Sequence, residues 1–250
     1  MLRSLGCSHG CAYCYASFMK RFANHPEPWG EFVDVKQWGV IKNPQKYAGK
    51  EFFIGAVTDP YMPEEKTYRK TLTFLEQMQG VNIKITIQTK SDLVLRDLDL
   101  IKTFPGARVG FSINTLDEAF RNDMDKAIRI ERRLTAMQKF HRAGVRTTCF
   151  ISPIFPGITD ISSLLTAQKT YAISFGWKIS IYGEAINRLF WHISDKSIPH
   201  YFLYMRKYIS AAAGHIGNFS TVKCEIIQKP VDSIMCVMTT DWKSRSTLRR

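Results

Sequence analysis

Apolar positions recur along this chain with two periods that take turns. Residues 51–57 form a short apolar run that ends in Thr58-Asp59-Pro60-Tyr61, a strand followed by a loop signal. Residues 64–79 then set Leu72, Leu75 and Met78 at helical spacing, with Gly80 as the stop. The pattern repeats. Residues 82–88 alternate as a strand does, Ser91 can cap a helix over 92–104, and 108–113 is the next strand. A long helix over 128–142 is closed by Gly144 and followed by a strand over 145–152. Asp160 caps a helix reaching about residue 174, a strand covers 177–182, and a last helix runs near 199–213. Residues 220–227 are β-rich, after which periodicity fades. About five strand–helix units in a row predict a parallel α/β fold.

Length and composition leave room for one such domain. The chain has 250 residues, 45% of them hydrophobic and 23% charged, which excludes a disordered polymer. We expect a core over residues 1–214 and an extension over 215–250, whose end carries Lys243, Arg245, Arg249 and Arg250. The longest mostly apolar stretch, 149–158, holds two prolines and is too short for a bilayer. Met1 to Gly6 contains no apolar signal region. The expectation is a soluble, cytoplasmic protein without a membrane partner. Lys plus Arg is 35 against 22 for Asp plus Glu, a net charge of +13. That excess favours a nucleic acid or another polyanion, although a basic solvated surface would show the same balance.

The cysteines change the picture most. Three of six fall in one short run, Cys7-Ser-His-Gly-Cys11-Ala-Tyr-Cys14, while Cys149, Cys224 and Cys236 stand alone. Crowded thiols in a reducing compartment read as metal ligands, and soft thiolates select zinc or iron–sulfur. A structural zinc wants four ligands, so His9 or His25 would have to complete it. A [4Fe–4S] cluster on three cysteines instead leaves one iron open to a small molecule.

C-x3-C-x2-C with an aromatic, Tyr13, before the last cysteine resembles the signature loop of the radical S-adenosylmethionine superfamily. The segments GCSHGCAYCYA, GAVTDPYMPEE, TKSDLVLRDLDLI, FSINTLDEAF, ERRLTAMQKFHRAG, SPIFPGITD and EAINR follow the order of its spore photoproduct lyase-like branch, from Gly6 to Arg188. The resemblance implies a partial (β/α)6 TIM-like barrel with the active site at the carboxyl ends of its strands. The loops at 7–14, 58–61, 114–117, 153–160 and 184–188 would gather there. Only six residues precede Cys7, so the first strand is abbreviated or missing, or the chain starts inside a longer product.

The resemblance also implies cofactors and roles. Cys7, Cys11 and Cys14 would hold a [4Fe–4S] cluster whose open iron chelates S-adenosylmethionine. Tyr13 would lie near the adenine. Thr58 and Asp59 stand where the amino group is received, although the superfamily's Gly-Gly-Glu is absent. Ser112 and Asn114 would lie near the ribose and the methionyl carboxylate, Arg132 or Arg133 would pair that carboxylate, and Ser152 ends the fifth strand. The implied reaction is reductive cleavage to a 5′-deoxyadenosyl radical that abstracts hydrogen from a substrate, fed by an external flavodoxin- or ferredoxin-like electron donor. Where the branch has an acidic-Pro-basic stretch this chain has Met124-Asp125-Lys126, and the repair lyase's quenching cysteine and tyrosines find no match.

The alternative is a basic nucleic-acid-binding protein with a structural zinc site. Cys149 reads as a buried structural thiol; Cys224 and Cys236 make a poor second ligand set, though either might donate hydrogen to a radical. His9 reads as a neighbour of the ligands or a solvated residue. Trp29, Phe32, Trp38, Tyr61, Phe190 and Trp191 read as packing more than as base-stacking platforms.

Overall fold

The structure is a computed structural model, and it describes residues 4–36, 39–155, 158–168, 174–179, 222–225 and 237–239. Trp38, Phe190, Trp191, Cys236, the loop 184–188, the helix expected at 199–213 and the basic end all lie outside the described residues.

The alternating segments form the expected parallel sheet. Strands β3 (Glu51–Ile54), β4 (Lys84–Thr89), β5 (Arg108–Ser112), β6 (Arg146–Ile151) and β7 (Ser174–Ile179) lie side by side in chain order, each parallel to the last. Strands β8 (Val222–Glu225) and β9 (Val237–Thr239) continue the same sheet with antiparallel pairing. A two-residue strand β1 (Ser4–Leu5) pairs antiparallel with β2 (Asp34–Val35) and stays outside that sheet. Among the described residues the parallel strands form an open sheet, as a partial barrel does.

Side chains alternate across the strands, and the two faces do different work. Ile85 and Ile87 of β4, Val109 and Phe111 of β5, and Cys149 and Ile151 of β6 are all fully buried on one face. They pack against Phe74, Leu75 and Met78 of α2 (Lys70–Met78) and Ala136, Met137 and Phe140 of α5 (Ile130–Arg142). The other face is more polar. The Gln88 amide there donates to Ser112 Oγ at 3.0 Å, and a Cβ on Gly110 would sit 2.1 Å from Gln88 Oε1. A larger residue at 110 would have to push that amide aside.

Several boundaries depart from the local pattern. The helix expected over 64–79 breaks at Arg69, which takes a left-handed φ of 48° between α1 (Glu65–Tyr68) and α2. The cause is tertiary: the buried Glu65 carboxylate accepts from the backbone N–H groups of Thr71 and Leu72, capping α2 from one turn upstream. The helix expected over 92–104 begins as a 3-10 turn, Asp92–Asp97, capped by Ser91, before α3 (Leu98–Lys102). Helix α6 spans Ile161–Gln168, and β7 begins at Ser174, three residues before the expected strand. Two elements lacked a clear apolar period: the 3-10 helix Tyr15–Phe22 and α4 (Glu118–Met124), capped by the Asp117 carboxylate. No helix among the described residues is long and apolar enough to cross a membrane.

Candidate active site

The cysteine run forms a loop between β1 and the 3-10 helix Tyr15–Phe22. Gly6 turns the chain into it with φ +92°, and a Cβ there would stand 2.1 Å from the carbonyl oxygen of Phe32. Two backbone bonds stitch the loop to the end of α4: Ala12 N–H donates to Met124 O at 2.9 Å, and Lys126 N–H to His9 O at 2.8 Å.

Cys7, Cys11 and Cys14 are free thiols. Burial pushes the Cys7 thiol up to about 12, and the Asp59 carboxylate adds to the rise. Burial also pushes Cys11 and Cys14 up. Polar donors oppose this. Backbone N–H groups of Asp59 and His9 donate to the Cys7 sulfur, those of Ala16 and Ser17 and the Trp29 indole to Cys14, and the Lys90 ammonium faces Cys11 and Cys14. Dry thiols supplied with N–H donors and one cation suit a metal centre, which displaces the thiol protons and leaves the donors to stabilise sulfur charge.

Two buried carboxylates hold this loop. Asp59 accepts from the Tyr61 backbone N–H and the Thr89 hydroxyl on Oδ1, and from the Lys90 backbone N–H on Oδ2, with His9 Nε2 3.1 Å from Oδ2. Burial alone would raise its pKa, but His9, Thr89 and Lys90 outweigh it and hold the carboxylate below its usual range. Asp125 accepts from Tyr13 at 2.9 Å and from Arg133 Nη2 at 3.0 Å, with the Lys90 ammonium 3.6 Å away. Here too burial is opposed, by Lys90 and Arg133, and the pKa falls. Lys90 also donates to Tyr13 at 2.6 Å and lies 5.0 Å from its ring centroid. Lys90 and Asp125 escaped sequence reasoning. The only available signal was the charged pair Asp125-Lys126 where a branch motif was expected.

The residues expected around S-adenosylmethionine divide into two sets. Thr58, Ser112 and Asn114 are buried at the carboxyl ends of β3 and β5, and Ser152 follows β6 half-buried. Thr58 is 3.0 Å from the Ser4 hydroxyl, and Ser112 accepts from Gln88. Asn114 Nδ2 is buried without a hydrogen-bond partner among the described residues, an orphaned donor that a bound ligand would satisfy.

The other set is engaged within the protein itself. Asp59 has each carboxylate oxygen engaged by two internal groups, leaving little capacity for a cofactor amino group. Arg133 is fully buried, donating to Ile128 O, Ser112 O and Asp125, so it braces the site and leaves no fork for a cofactor carboxylate. Arg132 is exposed and paired with Asp92 at 2.6 Å. One of the two was expected to meet the carboxylate because they open a helix segment, and the helical step between neighbours leaves one buried and the other exposed.

The candidate zinc histidines are also engaged elsewhere. His25 lies between Glu27 at 3.2 Å and Asp34 at 2.8 Å and stacks on Phe32. His9, expected beside the ligands or in solvent, is buried with its ring on Asp59. Among the described residues no three His, Cys, Asp or Glu side chains converge on one point as a single zinc requires. Cys149 is buried mid-strand as expected, its sulfur 3.8 Å from Ile113 O. Trp29 and Phe32 pack with Leu5 and Ala16, and Tyr61 is fully buried, donating to Asp97. Cys224 lies on β8, opposite Trp177 in register.

Outside the loop, a cleft of about 320 Å³ is lined by His9, Ser91, Lys66, Arg96, Lys126 and Arg132 among others. It borders the cysteine loop, and its charged lining is cationic apart from Asp92, which pairs with Arg132.

Known proteins share this arrangement. Over 202 residues the chain is 32% identical to an uncharacterized protein of Methanocaldococcus jannaschii, covering 78% of this chain and 74% of that one. It is 25% identical over 159 residues to the radical SAM Nalpha-GlyT isomerase of Pseudomonas phage M6, covering 61% of this chain and 32% of that one. Its fold resembles a spore photoproduct lyase variant with bound S-adenosylmethionine and dinucleoside spore photoproduct, with TM-score 0.55 and 19% identity. That match covers 76% of this chain and spans 58% of the lyase chain. The profile of the Radical SAM superfamily matches residues 1–165. With that match over most of the described fold, the chain belongs to the radical SAM superfamily and is an enzyme whose cofactors are a [4Fe–4S] cluster and S-adenosylmethionine.

Proposed function

We propose that Cys7, Cys11 and Cys14 are the only protein ligands of the cluster, and that Thr58, Ser112, Asn114 and Ser152 line the S-adenosylmethionine site. The observation that carries this reading is one loop that presents all three thiols, with N–H donors at Cys7 and Cys14 and the Lys90 ammonium facing Cys11 and Cys14, together with the orphaned amide of Asn114. Bound together, the two cofactors supply a 5′-deoxyadenosyl radical that takes a hydrogen atom from the substrate, once an external electron donor has provided one electron. The chain's own share is positional. Asp59 and Asp125 fix the loop against β4 and α5, Tyr13 packs on Phe155 with ring centroids 5.5 Å apart, and the buried core beneath keeps water away. The Lys90 ammonium balances negative charge at Cys11 and Cys14.

Iron content and colour test the ligand assignment. Replacing any one of the three cysteines by Ala should lose most of the iron and all S-adenosylmethionine cleavage. Full iron in the triple Ala variant would refute it. The zinc reading fares worse because carboxylates engage both ring nitrogens of His25.

For the substrate we propose a nucleic acid. Support comes from the net charge of +13 and from Lys66, Arg96, Lys126 and Arg132 around the cleft beside the loop. The fold shared with a lyase solved with a dinucleoside photoproduct is consistent with it. DNA and RNA titrations at two salt concentrations, with 5′-deoxyadenosine output followed in parallel, test this. Binding should weaken with salt at a log–log slope near −0.9 per phosphate neutralised on duplex DNA. Salt-sensitive binding with no change in output would mean charge attraction alone and would overturn it.

A further inference from the structure

Among the described residues, three of the eight exposed large hydrophobic side chains stand on one eight-residue helix, Tyr15–Phe22. They are Tyr15, Phe18 and Phe22, the last 63% exposed. In a 3-10 helix residues three apart eclipse, so Tyr15, Phe18 and Arg21 share one face, and Phe22 adjoins it. The Arg21 guanidinium lies 5.4 Å from the Phe18 ring centroid and 4.7 Å from that of Phe22. The rest of the helix is anchored: Ala16 is fully buried, Met19 and Ala23 pack on the core of Leu5, Trp29 and Phe32, and Phe22, three residues past Met19 in the same row, emerges at the helix end beside Arg21. No acidic residue occurs from Tyr15 to His25, while Lys20 and Arg21 both do.

We infer that this aromatic, cationic face is the docking surface for an acidic redox carrier of the flavodoxin or ferredoxin class, and that electrons enter the cluster through Cys14. The inference rests on the cluster assignment above. Its geometric basis is proximity. The helix begins immediately after Cys14, Ser17 N–H donates to Cys14 O at 3.2 Å, and the Ala16 and Ser17 N–H groups face the Cys14 sulfur. Electron transfer weakens steeply with distance, so a carrier must approach within a few side chains of the cluster. The chemical balance is simple: the reduced carrier loses one electron, the cluster gains it, and no covalent bond changes.

The chemistry of the face suits a protein partner. Aromatic residues and arginine are enriched at interface cores, and an acidic partner is steered to a basic rim. A nucleic acid could also stack on exposed rings. The location disfavours it. The other flank of the loop, Ala12 and Tyr13, packs on Phe120, Met124 and Phe155 at the carboxyl ends of the strands, where a substrate must reach the adenosyl group. The Tyr15–Phe22 face belongs to the Leu5, Trp29 and Phe32 side instead.

Reduction kinetics of the cluster-loaded enzyme decide the matter. Bleaching of the cluster is followed after mixing with a photoreduced acidic flavodoxin and, separately, with dithionite, which needs no docking. Arg21→Glu, and a Phe18→Ser/Phe22→Ser double variant, should slow reduction by flavodoxin about tenfold or more and remove most of its salt dependence. Their reduction by dithionite should match the parent's. Unchanged flavodoxin rates would overturn the docking surface alone. An equal loss with dithionite would show that the helix supports the cluster and does not dock a carrier. Loss of DNA binding with an intact flavodoxin rate would identify a base-stacking surface. A parent protein that takes up no iron would overturn the cluster assignment beneath the inference, a result distinct from the others.

Discussion

Asp125 offers the sharpest test of how the loop is held. Its carboxylate faces three cations that have little access to water: Arg133, which is fully buried, Arg121, 3.8 Å away and also buried, and Lys90, whose side chain is 12% exposed. Asp125→Ala removes the acceptor of Tyr13, of Arg133 Nη2 and of the Ala127 backbone N–H together. Breaking a buried ion pair from one side costs about 3–5 kcal/mol, because the partner charge stays buried without compensation. Against a total stability of about 5–15 kcal/mol this is a large share. Urea unfolding of the metal-free protein should lose roughly 1–2 M in midpoint. A double variant that also replaces Arg133 by Met should recover part of the loss, since the stranded guanidinium goes with it. A loss below about 1 kcal/mol for Asp125→Ala, or strict additivity in the double variant, would refute the bracing role.

Three further outcomes follow from single contacts. Gly6→Ala should cost at least about 1–2 kcal/mol from its left-handed backbone alone, with the Phe32 carbonyl clash in addition, and lower the iron taken up per chain on reconstitution. The surface group of His25, Glu27 and Asp34 should act as a pH-dependent tether. The hydrogen bond to Asp34 raises the His25 pKa, so its contribution is complete below the ordinary value of 6.5 and is lost as pH rises through the raised one. Glu27 is lowered by its own backbone N–H and by His25, so its part holds above 4.5 and is lost as pH falls through the lowered value. His25→Ala should flatten the stability profile near neutrality, as read by thermal melts across pH. Gly110→Val should drive the Gln88 amide off Ser112 and lower S-adenosylmethionine affinity, measured by calorimetry, while Gly39→Ala, with open space around it and an ordinary backbone, should not.

The parallel strands and α5 were legible because their signal is local. Ile85 and Ile87, or Ala136, Met137 and Phe140, carry their burial in their spacing. The break at Arg69 was not legible, because it depends on Glu65 reaching across a turn and on Arg96 donating to that carboxylate at 2.8 Å from another segment. The same holds within the site. The thiol spacing announces itself within eight residues, yet the internal partners of Arg133 do not. Nothing near it in sequence shows that Asp125, Ser112 O and Ile128 O occupy its guanidinium. Charged side chains near a helix start read alike until packing decides which face they occupy.

A sheet that begins at β3 also has a consequence for how molecules of this chain behave in company. Among the described residues β3 pairs on one side only, with β4, and its outer row of peptide groups meets no neighbouring strand of the sheet. It carries Phe53, 59% exposed, on that margin. An unpaired edge with an exposed ring is a template for strand addition by another copy. Two features blunt it: the strand is four residues long, and Lys50 and Glu51 place opposite charges at its start. Concentrated preparations should therefore stay dispersed while those charges are intact, and Glu51→Val, which lengthens the apolar run, should make light scattering rise with concentration before any loss of fold is detected.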